Sequence, residues 1–347
     1  MKIRLTLAAA LLCISSAISY GQFWHVMPPL DKDNSINVCY ANDDKRIFYL
    51  GKDDGGVKNI FAIDVKTLAV TQVTKFSDAP VVRFVGVPGK PFLIYMRASA
   101  AHPTDYHLYK IDNNGVTVPE DLTPTGDGIA NTIVGAQYNG RYIYYSSNKT
   151  NPAKMDFYRY DVAQNISELV FANDKNYSLH AWSRDQKHVL MSDAAGSKLF
   201  ISDVETTERF PLYSAPQAHS IAAAMWTPDN KQLLVLESDG TTNELKVMDM
   251  TTPESVSPTT KTLDTGAVTM IGASINGRCF YERKGDVLAV NDYQGQNITM
   301  LPNGIDVTTN AKETMMLQVQ HGADGVKLRI YDMTKKAGAE PIIIKNY

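Results

Sequence analysis

The sequence predicts an all-β fold, a seven-bladed β-propeller of four-stranded antiparallel blades. Two repeated features predict it. Seven alternating apolar runs, at 60–64, 107–112, 156–161, 198–203, 244–249, 286–291 and 327–332, end in Asp64, Asp112, Asp161, Asp203, Asp249, Asn291 and Asp332. These end residues recur every 41 to 49 positions, the length expected for one blade of four short strands. The second feature is a polar or Gly turn carrying a basic residue, followed by large alternating apolar residues. It stands at 42–46, 88–90, 139–141, 184–187, 228–231, 276–278 and, most weakly, 310–313.

Turn chemistry justifies the elements in order. Pairs such as Asn139-Gly140 and Asn276-Gly277 tolerate the positive φ of a tight hairpin, so each polar turn reads as the link between the innermost strand, A, and the next strand, B. The residue closing each later run falls where strand C turns into strand D, where a carboxylate can accept backbone N–H groups. Side chains locked to one repeat position lie at the same radius in different blades and cannot converge, so this acidic set reads as structural. The blades are predicted at 35–76, 80–125, 130–173, 176–214, 219–263, 266–302 and 305–345, none of them split between the two chain ends. Residues 23–29 are left over and are expected to pair on an outer edge or lie across one face of the ring.

The first 21 residues have the layout of a secretory signal peptide: Lys2 and Arg4, an apolar run from Leu5 to Ile14, then small residues. Cleavage after Gly21 leaves residues 22–347 as a single propeller domain, exported to the periplasm or secreted. Lipidation at Cys13 is not expected, because Leu12 is bulky where a lipoprotein signal wants a small residue. Loss of Lys2 and Arg4 takes the net charge from −3 to −5, which excludes the basic footprint of a nucleic-acid binder. No later apolar stretch is long enough for a transmembrane segment. The remaining cysteines, Cys39 and Cys279, are assigned to non-adjacent blades 1 and 6, so both are expected to be reduced.

The segments Ala181-Trp182-Ser183-Arg184-Asp185-Gln186-Lys187 and Met225-Trp226-Thr227-Pro228-Asp229-Asn230-Lys231 resemble the Trp-Ser-Pro-Asp-Gly-Lys motif of WD40-like repeats. Such repeats occur in TolB-type periplasmic propellers and in the propeller half of prolyl oligopeptidase family peptidases. Pieces between Phe92 and Phe171, among them Asp156-Phe157-Tyr158-Arg159-Tyr160-Asp161, look closest to the peptidase propellers. The motifs specify a blade and not a ligand. The peptidases' Gly-x-Ser-x-Gly elbow is missing, the nearest stretch being Gly272-Ala273-Ser274-Ile275-Asn276, so no member of that catalytic triad carries over.

The seven histidines show no short metal-binding spacing, and no metal or other cofactor is expected. Position along strand A is then the guide to a site at the channel mouth. His219 lies seven residues before Trp226, near the start of its strand, and Arg83, Asp127, Asn131, Asn176 and Asp306 fall at or near the starts of others. Mixed polar side chains around a concave mouth suit recognition. The tyrosines 142, 144, 145, 158 and 160 read as packing between blades. The expected function is a monomeric, non-enzymatic scaffold that binds a protein or peptide partner of the cell envelope at its channel face, as the TolB resemblance implies. The alternatives are a metal-assisted polysaccharide lyase of the oligogalacturonate type and a peptidase-type propeller acting beside a separately encoded hydrolase.

Overall fold

Alternating apolar residues on both faces of each strand become seven antiparallel meanders, because each sheet has a neighbour on either side. The computed structural model describes residues 24–25, 37–98, 101–124, 126–137, 139–227, 229–251, 260–266, 268–273, 280–285, 287–292, 297–302, 304–310, 314–322, 325–332 and 342–346. Among them there is no helix, hence none long and apolar enough to cross a membrane. Blades 1 to 7 span 38–72, 81–121, 131–171, 178–214, 220–266, 268–302 and 304–346. Each contains strands A to D in chain order, and among the described residues blades 1 and 7 exchange no strand.

The core is divided among the seams. Seven buried apolar clusters each join two neighbouring blades. One of them closes the ring: Val38, Tyr40, Ile47, Tyr49 and Ile63 of blade 1 pack on Leu317, Val319, Leu328 and Ile330 of blade 7. The motif tryptophans belong to these seams. Trp182 stacks on Tyr144 of blade 3 at 3.8 Å between ring centroids, and Trp226 packs with Leu190, Leu199 and Leu212 of blade 4. Tyr144, Tyr145, Tyr158 and Tyr160 are buried as well, Tyr145 stacking on Tyr158. Cys39 is a buried free thiol on strand A of blade 1, and burial pushes it up to about 12. Cys279 and the proposed leader lie outside the described residues.

The turns behave as their chemistry requires. Asp64, Asp112, Asp161, Asp203 and Asp249 each accept backbone N–H groups from the residues that follow. In the A–B turns Asp44, Gly89, Gly140, Gln186 and Asn230 take the left-handed conformation. Asp185 and Asp229 accept from Ser183 and Thr227 and from the Lys187 and Lys231 amides, so the motif builds its own turn.

One expectation is relocated. Trp24–His25 neither borders an outer strand nor crosses a face; it pairs with Ala273 and Gly272 on strand A of blade 6, as a fifth strand on the inner edge. Strand A presents unpaired backbone groups to the channel, and an added strand satisfies some of them.

Candidate binding site at the channel mouth

An A-to-D meander repeated around a ring puts the start of A, the end of B, the start of C and the end of D on one face. The D–A links and B–C loops therefore surround one end of the channel, and the A–B and C–D turns the other. All six sequence-predicted residues lie on D–A links or in the first half of a strand A, on the side of the first face. They do not form one cluster.

Arg83, Asn131 and Asp127 gather around the seam between blades 2 and 3. Arg83 follows a bulge in strand A and donates through Nη1 to the Ile133 carbonyl of the next strand A at 3.3 Å. It is only 9% exposed, and burial lowers its guanidinium to about 10. Asn131 is fully buried, its Nδ2 donating to the Tyr106 carbonyl at 2.8 Å, so its part is to tie a B–C loop to the ring. Asp127 is exposed on the D–A link, 3.6 Å from His102 Nε2. Asn176 is an exposed turn residue at φ 55° in the link between blades 3 and 4. Asp306 follows a bulge in strand A of blade 7, the repeat position that Arg83 holds in blade 2.

His219 stands apart, immediately before strand A of blade 5, which begins at Ser220. Its Nδ1 lies 2.7 Å from Oε1 of Glu237, a side chain with no exposure. Lys246 Nζ reaches the same oxygen at 2.9 Å, and Tyr213 of blade 4 donates to Oε2. Burial alone would raise the Glu237 carboxyl, but hydrogen bonds from Tyr213, Lys246 and His219 outweigh it and hold the group below its usual range. Lys246, whose burial opposes its charge, is held above its ordinary value by Glu237 and Tyr213. An ionised Glu237 can only accept, so Nδ1 of His219 carries the proton, and none of the described contacts uses Nε2. A half-buried imidazole is thereby fixed at the rim by a carboxylate that is itself neutralised.

Sequence reasoning missed Glu237, Lys246, Tyr213, His102 and Asp105. One signal was available. The residue of strand B opposite the last residue before the strand A bulge is Arg97 in blade 2, Glu237 in blade 5 and Lys284 in blade 6. Each pairs with the preceding blade or the link after it: Arg97 with Asp78, Glu237 with Tyr213, Lys284 with Asp264. This face is latched by polar pairs whose residue types change from seam to seam, which hides them from a search for repeated letters.

Fold and latched mouth together define a seven-bladed β-propeller with a polar face around its channel. No family model matches the chain, and no curated protein matches its sequence. Solved structures match in fold. An oligogalacturonate lyase in complex with manganese aligns at 12% identity and TM-score 0.65, over 85% of this chain and 87% of that one. TolB from Acinetobacter baumannii aligns at 17% identity and TM-score 0.50, over 82% and 76%. Prolyl oligopeptidase B from Galerina marginata aligns at 10% identity and TM-score 0.64, over 95% of this chain and 52% of that one. The present chain spans about half of that peptidase. At these identities the likeness is one of fold.

Proposed function

We propose that the chain is an exported, non-enzymatic propeller that binds a protein or peptide partner at the face carrying the D–A links and B–C loops. The observation behind this reading is the His219 rim site, in which buried Glu237, Lys246 and Tyr213 hold one imidazole rigidly and leave Nε2 unused by the fold. Preorganised polar groups beside a concave opening bind with little ordering cost. No second acid, base or nucleophile stands within hydrogen-bond reach of His219 apart from Glu237 among the described contacts, and a recognition role asks for none. The TolB-like fold supports a protein or peptide as partner and the periplasm as compartment.

The test compares capture of envelope proteins by wild type and by His219→Ala. A partner retained by the first and lost by the second supports the reading, provided that both melt alike. Turnover of an oligouronide by the purified chain, abolished in His219→Ala, would replace it with the lyase alternative.

A further inference from the structure

Two loops of the same face carry a second constellation that takes no part in the His219 site. His102 and Asp105 sit in the B–C loop of blade 2, and Asp127 in the link from blade 2 to blade 3. One donor atom from each of the three side chains lies within 4.8 Å of the others. The individual separations are 3.7 Å from His102 Nδ1 to Asp105 Oδ2 and 3.6 Å from His102 Nε2 to Asp127 Oδ1. The two contacts run through opposite ring nitrogens, and a single ion takes only one of them, so the convergent set is one imidazole nitrogen with one oxygen from each carboxylate, all within 4.8 Å. Three donors about 2.0–2.2 Å from a common ion stand roughly 3–3.6 Å apart, so a contraction of about 1 Å closes the set. The side chain best able to move, Asp127, is 84% exposed.

The support beneath the donors is fixed. Asp105, 12% exposed, accepts the Gly128 amide at 2.7 Å, and Asn148 bonds both the Gly128 carbonyl and the Ala130 amide.

We propose that His102, Asp105 and Asp127 form a binding site for a divalent transition-metal cation, with coordination positions left open towards solvent. One imidazole and two carboxylates suit zinc or manganese better than calcium, which takes oxygen donors throughout. The proposal does not depend on the partner reading, and it gives the chain a metal where its histidine spacing predicts none.

The test is calorimetric titration of the untagged full chain with Zn²⁺ and with Mn²⁺, repeated on His102→Gln, Asp127→Asn and His219→Ala. One equivalent is expected to bind in wild type and in His219→Ala, with affinity lower by about tenfold or more in the other two. Asp105 is left intact because it holds Gly128, and melts without metal are expected to coincide for all four proteins. Absence of binding, or equal affinity in His102→Gln and Asp127→Asn, overturns the site. Loss in His219→Ala alone moves the metal to the other rim site and overturns it as well.

Discussion

Trp182 and Trp226 show how much a single repeat-locked side chain carries. Trp182 lies face to face with Tyr144 at 3.8 Å, and both indoles are buried between blades. Trp182→Ala and Trp226→Ala are each expected to destabilise the fold by about 3–5 kcal/mol, read from thermal or denaturant melts. A wild-type melt in both variants would return these residues to the surface. His219 should behave in the opposite way, since a half-exposed ring contributes little packing. Its alanine variant is expected to keep the melt, whereas Glu237→Ala, which leaves Lys246 without its buried counter-charge, costs about 3–5 kcal/mol. Arg83 makes a poorer probe of binding than its sequence position promised. Its guanidinium is buried against the next strand, and removing it disturbs a seam as well as the mouth.

At the scale of the element, the seams and turns carry separate sensitivities. Gly140, at φ +69°, closes the A–B turn of blade 3, and a Cβ there would lie 1.9 Å from the Pro88 carbonyl oxygen of blade 2. Gly140→Ala therefore strains its own backbone and pushes on the neighbouring turn. It is expected to cost about 2 kcal/mol or more in melts. The seam between blades 5 and 6 is expected to respond to pH. Glu282, 3% exposed, is pushed up to about 7 by burial and by Asp264 across the seam, while Lys284 favours its ionised form. Its Oε2 finds no acceptor or donor unless it carries a proton, which it can give to Asp264. A carboxyl with a higher pKa folded than unfolded adds stability that is complete below the unfolded value near 4.5, fades as pH rises towards 7 and is gone above it. Wild type is expected to lose about 3 kcal/mol from this group between pH 4.5 and 8. Glu282→Gln should lack that loss, so the variant gains on wild type as pH rises. An unchanged difference between the two melts at pH 5 and pH 8 would remove Glu282 from the account.

Strands and turns were legible in the sequence because each blade repeats them with the same chemistry. A left-handed residue must close the A–B turn, and a carboxylate at Asp64, Asp112, Asp161, Asp203 or Asp249 must quiet the C–D turn. The latches were not legible. Arg97, Glu237 and Lys284 share a position but not a charge, and each partner is set by its own preceding blade. Asp127 was singled out from its place in a D–A link, but His102 and Asp105 lie in a B–C loop, and only the folded ring shows that the two segments meet. The inner-edge pairing of Trp24–His25 was missed for a related reason, since nothing in a two-residue strand names its partner.

For the whole molecule, closure rests on side-chain packing between blades 1 and 7, with no strand exchanged between them among the described residues. Each seam contributes its own cluster, so stability is spread around the ring, and a defect such as Leu328→Ala is expected to act at the seam between blades 1 and 7. The same organisation separates two faces: one closed by self-capped turns, the other carrying the latches, the His219 rim site and the His102 cluster. The claim that the latched face is the working face is tested most directly by partner capture with paired variants. Wild type, His219→Ala and Lys66→Glu, the last an exposed change in a C–D turn of the opposite face, are used to retain envelope proteins and are compared band by band. The account predicts a protein held by wild type and Lys66→Glu and lost from His219→Ala. Retention by His219→Ala together with loss from Lys66→Glu would contradict it.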